Sequence, residues 1–373
     1  STTVELTVNE AVVEAASVTR ADGTDGGTYE SLPAALNAAQ DGDTVKLLAN
    51  HTTNWGDVEA GEYATLAVVK KTLTLDLNGM TVDYLTVGDV VPDEAGGILE
   101  SYDGNLTVVD NAQEGSCGKI KDLEFVKGSL AIQGGRIGDS LTCDRNSGTV
   151  TISGGTVCNV TVGDGAAVTV TGGTEHAGNW HNDGTLNITG GTFGNVNFCN
   201  NGGTIAISGG TFGTITNTGA SGSIPLMPLL ADPCAFYQGD KVQDSTAKTL
   251  TNVTVRPHTH SFENGKCACG VAAIVVDNHN SCYNTLQAAL NAAAKDASIT
   301  SVTLGQDLTE DITFSGSAAG SLTLNMNGHK LEAEAGVPLT VTGGTLRIEG
   351  AGEINQNTAS NATAFPAISL TGG

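Results

Sequence analysis

Positive charge, aromatic side chains, cysteine and long apolar runs are all scarce in this sequence, and each scarcity removes a class of function. Lysine and arginine number 16 against 40 aspartates and glutamates, for a formal net charge of −24. Such a surface repels nucleic-acid phosphates and anionic lipid headgroups, so neither is expected as a partner. No apolar stretch approaches the ~18 residues of a membrane-spanning helix; the longest, Ile224 to Leu230, is broken by Pro225 and Pro228. Membrane insertion is therefore not expected. Eight cysteines in 373 residues are too few for a disulfide-built scaffold, yet the low charged fraction and the wealth of Thr, Gly and Asn read as secreted. Aromatic residues at 4% and 50 glycines, about twice the usual share, depart from an ordinary mixed α/β enzyme. The chain opens at Ser1 without a Met or export signal and ends at Thr371-Gly372-Gly373 inside a recurring pattern, so it reads as a piece of something longer.

What the sequence has in abundance is repetition. A β-branched alternation followed by a glycine pair recurs at Ile132-Gln133-Gly134-Gly135, Ile152-Ser153-Gly154-Gly155, Val170-Thr171-Gly172-Gly173, Ile188-Thr189-Gly190-Gly191 and Ile207-Ser208-Gly209-Gly210, spaced by 20, 18, 18 and 19 residues. Each unit reads as strand, turn, strand, turn, with Val, Ile and Leu pointing in and Thr, Ser and Asn pointing out. A unit this short cannot bury its apolar face alone; stacked coils about 4.8 Å apart close a continuous interior. The predicted fold is all-β: a right-handed, three-sided parallel β-helix solenoid. A leucine-rich repeat or a β-sandwich of short strands are the competing architectures.

A longer repeat overlies the first. Tyr29, Leu32, Ala35, Leu36, Asn37 and Ala39 recur 254 residues later as Tyr283, Leu286, Ala289, Leu290, Asn291 and Ala293. Both copies carry the spacing of an amphipathic helix, predicted over Tyr29 to Gln40 in the first and expected to cap the open end of a solenoid. Leu73-Thr74-Leu75-Asp76-Leu77-Asn78-Gly79 is likewise matched by Leu322-Thr323-Leu324-Asn325-Met326-Asn327-Gly328. The implied organisation is a strand and linker over 1–26, a first β-helix module over 27–255, a His/Cys spacer over 256–270, and a second module over 271–373, cut at its C-terminus.

The helix, the Leu75-to-Gly79 strand, the Gly-Gly-Thr coils and the spacer His258-Thr259-His260 … Cys267-Ala268-Cys269-Gly270 together resemble the large modular surface proteins of gut Firmicutes. In those proteins β-helix modules of pectate-lyase-like architecture stand in tandem. The resemblance covers nearly all of the chain from Gly27 onward, and it implies a bacterial cell-surface location and an adhesin-like role. The spacer in such proteins carries Cys-x-x-Cys, whereas Cys267 and Cys269 have one residue between them.

Three groups of residues are candidates for chemistry. His258, His260, Cys267 and Cys269 suit a closed tetrahedral Zn²⁺ site that would fix the angle between modules; disulfides, with Cys234 and Cys282 near in sequence, or unbound groups are the alternatives. No other cofactor is expected. The coil from Gly172 departs from its neighbours by carrying Glu175, His176, Trp180, His181, Asn182 and Asp183. Trp180 and Phe198 share one offset in adjacent coils and should stack. Pointing inward the pair is core, the preferred reading; pointing outward it is an aromatic platform for a sugar ring. The third group, Asp139, Asp144 and Arg145, is where a polysaccharide lyase or glycoside hydrolase would have to work, but no ladder of paired carboxylates surrounds it. Cys117, Cys143, Cys158 and Cys199 read as small buried hydrophobes, with Cys143 and Cys199 sharing an offset of nine. Asp41, Asp43, Asp89, Asp93 and Glu94 read as solvated charge, and the outward Thr rows as ordinary sheet surface. The expectation is an extracellular rod on a bacterial surface, binding glycan or host surface or matrix protein without catalysis; an enzyme and a passive stalk are the alternatives.

Overall fold

The computed structural model describes residues 14–54, 66–92, 98–144, 147–219, 222–231, 233–260, 262–263, 266–356 and 367–371. It is a parallel β-solenoid that divides into two compact units, Ser1–Lys241 with Thr246–His258, and Val242–Ser245 with Thr259–Gly373.

In the first unit each coil contributes one strand to each of two sheets. One sheet stacks Thr44–Leu47, Thr72–Asp76, Gly104–Val109, Gly128–Ile132, Gly148–Ile152, Ala167–Val170, Thr185–Ile188 and Thr204–Ile207. Its registers pair Ile132, Ile152, Val170, Ile188 and Ile207 in one row, the residues the repeat singles out, and all five are buried. The second sheet stacks Ala67–Val69, Thr81–Val87, Lys119–Phe125, Arg136–Cys143, Thr156–Val162, His176–Asn182, Thr192–Asn200 and Thr211–Gly219. Among the described residues of this unit the expected third side does not form a separate stacked sheet. The second-sheet strands are longer, and an extra residue in Arg136–Cys143, between Ile137 and Ser140, shifts its register against both neighbours. The inner rows form one continuous apolar core, with each fully buried Val, Leu, Ile or Phe contributing ~1.5–3 kcal/mol.

The glycine pairs turn the corners for two separate reasons. In Gly154-Gly155 the second residue sits at φ +65°, which an L side chain resists. The first faces the preceding coil, where an added Cβ would lie 2.0 Å from the carbonyl oxygen of Gln133. The corner therefore needs one glycine for conformation and one for the close passage of a neighbouring coil.

Both ends of the stack are covered. Helix α1 (Leu32–Ala38) buries Leu32, Pro33, Ala35 and Leu36 against the strands that start the two sheets. The Ser31 hydroxyl accepts from Ala34 N at 3.2 Å and caps it. It is shorter than the periodicity implies, beginning at Leu32 and not Tyr29, because Tyr29 already belongs to the strand Asp25–Tyr29. Residues 16–19, expected in a leading strand and linker, are instead part of the first sheet, where Ala16–Thr19 pairs antiparallel with Asp25–Tyr29 and Thr44–Leu47. The leading stretch Val4 to Val8 lies outside the described residues. At the far end the antiparallel strands Thr249–Pro257 and Cys234–Gln238 close the second sheet. The Pro-broken run supplies Leu226 and Leu229, both buried, to the same core.

The coils of the second unit are three-sided, with parallel strands stacked in three sheets: Ser301–Leu304, Ser321–Asn325 and Thr345–Glu349; Leu308–Thr309, Lys330–Glu332 and Glu353–Asn355; Ile312–Phe314, Leu339–Val341 and Ile368–Leu370. Helix α2 (Leu286–Ala293) precedes them, capped by Thr285, whose hydroxyl accepts from Ala288 N at 3.0 Å. The matched sequences at Asn78-Gly79 and Asn327-Gly328 make the same turn. Both asparagines have φ 49°, and their Nδ2 groups donate to Leu47 O at 2.9 Å and Leu304 O at 3.1 Å.

Candidate functional site

The coil from Gly172 divides its singled-out residues by strict alternation. Trp180 pairs with Val160 and Phe198, which are interior, so Trp180 is fully buried. Its indole N–H donates to Cys158 O at 2.8 Å and Ala177 O at 3.1 Å. Phe193, Phe198 and His176 surround the ring at centroid distances of 5.7, 6.1 and 6.1 Å. His176 is equally buried, and both its nitrogens are accounted for: Nδ1 accepts from Val157 N at 3.1 Å, and Nε2 donates to Gly172 O at 2.9 Å. Burial lowers its pKa below the ordinary histidine value, which keeps it neutral. Asn182, also buried, directs Nδ2 to Gly184 O, Asn200 Oδ1 and Thr204 O. Glu175, His181 and Asp183 are exposed. The Trp180 and Phe198 pair is thus core, the preferred of the two readings, and the outward alternative is set aside, since a sugar would find only the three polar members at the surface.

The acidic group is not one constellation either. Asp139 is exposed beside Lys119 at 3.6 Å. Asp144 is half-buried, and burial followed by the charge of Glu124 raises its pKa. Arg145 lies outside the described residues. Asp43 departs from the solvated reading: it is buried and accepts from Arg20 Nη1 at 2.7 Å, Gln40 N at 2.7 Å and Ala21 N at 3.0 Å. Burial alone would raise its pKa, but these bonds outweigh it and hold the carboxyl below its ordinary value. Asp89 pairs with Lys70 at 2.6 Å, while Asp93 and Glu94 lie outside the described residues. Of the four coil cysteines only Cys143 is buried; Cys158 and Cys199 are half-buried and Cys117 is exposed.

The sheet faces differ in charge. On the outer face of the first sheet, one hydrogen-bonded row runs Thr72, Asn105, Ser129, Thr149, Ala167, Thr185, Thr204, and the next runs Thr74, Thr107, Ala131, Thr151, Thr169, Asn187, Ala206. Neither row contains a charged residue, and they line a shallow groove of about 210 Å³ between Thr72 and Thr151. The second sheet instead carries Asp83, Asp122, Glu124 and Asp139 with Lys119 and Lys121 in its early coils, Lys121 meeting Asp83 at 2.5 Å. Sequence reasoning saw the Thr rows but not that two full rows are neutral in a chain of such charge. The signal was the Thr, Ser, Asn or Ala at the positions of these two rows in every strand from Thr72–Asp76 to Thr204–Ile207; the earlier strand Thr44–Leu47 carries Lys46 on its outer side.

The spacer residues do come together. One ligand atom from each of His258, His260, Cys267 and Cys269 lies within 4.8 Å of all the others. Cys267 and Cys269 are buried, and His260 Nδ1 is 3.3 Å from Cys269 Sγ. Burial pushes the Cys269 thiol up to about 11. All eight cysteines are unlinked by disulfides. Among the described residues, no helix is long and apolar enough to cross a membrane. No protein-family model, curated protein or solved structure matches this chain.

Proposed function

We propose that this chain is a non-catalytic binding and display module of an extracellular bacterial surface, and that it meets glycan or host matrix protein through the outer face of its first sheet. The carrying observation is the pair of uncharged hydroxyl- and amide-bearing rows on a chain of net charge −24. Elsewhere that charge repels acidic glycans and proteins; here a neutral polymer finds hydrogen-bonding groups repeated at about 4.8 Å between coils. The resemblance to tandem β-helix surface proteins supports the same class by analogy. A catalytic reading gains no support from Asp139 and Asp144, which are engaged with different neighbours.

The test is a binding screen of the purified chain against neutral and acidic glycans and matrix proteins, with and without chelator. The expected hit is a neutral ligand, insensitive to chelator, lost in Thr151→Arg/Thr169→Arg and kept in Thr161→Arg on the other sheet. Retention by the first variant would remove this face from the function, and an empty screen would leave a passive stalk. Tight, chelator-insensitive binding of sulfated or sialylated glycan would contradict the electrostatic argument.

A further inference from the structure

We propose that His258, His260, Cys267 and Cys269 form a closed tetrahedral Zn²⁺ site within the run 258–269. The site is independent of the binding face proposed above.

Local geometry gives the first argument. His258 and His260 follow directly on the strand Thr249–Pro257, while Cys267 ends the strand Lys266–Cys267 and Cys269 lies in the turn after it. His258 and His260 are half-buried with Thr259 exposed between them, and Cys267 and Cys269 are buried with Ala268 exposed between them. In both arms the two ligands are more buried than the residue between them, and the four ligand atoms converge within 4.8 Å. With Zn–S near 2.3 Å and Zn–N near 2.0–2.1 Å, the edges of a tetrahedron are about 3.3–3.8 Å. The 3.3 Å separation of His260 Nδ1 and Cys269 Sγ already matches such an edge.

Ligand chemistry gives the second. Two imidazoles and two thiolates are a borderline-to-soft set that selects zinc over calcium or magnesium. Two thiolates also balance the charge of one Zn²⁺, so the buried site is neutral once both thiol protons have left to solvent. Four protein ligands leave no position for water or substrate, which makes the site structural.

The surroundings hold the ligands in place. Ser245 donates to Cys269 O from both N and Oγ, at 2.8 and 2.6 Å. Cys267 N donates to Val271 O at 2.8 Å, and Gly270 N, in a turn at φ +96°, donates to Cys267 O at 2.9 Å. The Tyr237 hydroxyl lies 2.7 Å from His258 Nδ1, the outer hydrogen bond that orients a metal-bound imidazole.

The experiment is a titration of the reduced, metal-stripped chain with Co²⁺ under anaerobic conditions, followed by visible absorption. The expected result is a tetrahedral spectrum with thiolate-to-cobalt charge transfer, saturating at one equivalent and bleached by one equivalent of Zn²⁺. Cys267→Ser/Cys269→Ser should lose it, and Cys117→Ser/Cys234→Ser should keep it. Because the first variant could fail to fold, His260→Cys gives a second reading: one equivalent retained, with charge-transfer absorption increased by about half. The inference is overturned if the reduced chain gives no tetrahedral spectrum, if the spectrum survives removal of Cys267 and Cys269, or if His260→Cys leaves it unchanged.

Discussion

Trp180 is the residue at which burial decides between two functions. A side chain with no exposed surface, whose indole N–H is satisfied by a carbonyl of its own coil and one of the coil before it, packs the core. Trp180→Ala is expected to cost about 3–5 kcal/mol, and exposed His181→Ala to stay within about 0.5 kcal/mol, by urea unfolding. His176 adds a pH dependence. Its pKa is depressed in the fold, so unfolding takes up a proton below the ordinary value near 6.5. Stability should accordingly fall as pH drops below about 6.5, and the fall should be shallower in His176→Gln. An equal slope in the two proteins would show that His176 is not held neutral. Inward and outward positions were legible wherever period-2 alternation was unbroken. Cys143 and Cys199 were misread as equivalent because the extra residue in Arg136–Cys143 shifts the phase, making one offset interior in one coil and half-exposed in another.

At the scale of the coil, the glycine pair was visible in the sequence but only half of its reason was. Positive φ follows from turn chemistry; the approach of Gly154 to the carbonyl of Gln133 depends on a coil 20 residues away. Gly154→Ala and Gly155→Ala should each cost about 1–3 kcal/mol through this crowding, with the φ penalty added at Gly155. Gly23, at φ +85° with nothing within 4 Å of an added Cβ, should lose only about 1 kcal/mol as alanine. Equal losses at Gly23 and Gly154 in thermal unfolding would mean that the coils do not pass so closely. Helix α1 was legible from its periodicity and shortened by a competing strand, a tertiary choice that local spacing does not record. The His-x-His and Cys-x-Cys arms were legible as ligand types in close succession, but not the turn after Cys267 that sets Cys269 beside His260.

For the molecule as a whole, the charge of −24 sets a self-repulsion that folding must overcome. Raising the ionic strength from about 10 mM to 0.5 M shortens the Debye length from ~30 Å to a few Å. The urea midpoint should then rise with the slope unchanged, and a fall would show that ion pairs such as Arg20 with Asp43 dominate instead. The same charge makes the neutral rows of the first sheet the surface least opposed to a partner. Hydroxyl-radical footprinting of the chain, alone and with a neutral glycan that the proposed binding screen retains, tests that claim most directly. Protection should fall on Gly104–Val109, Gly128–Ile132, Gly148–Ile152, Ala167–Val170 and Thr185–Ile188, with Arg136–Cys143 and Thr156–Val162 unchanged. Protection of those second-sheet strands, with the first sheet left reactive, would contradict it.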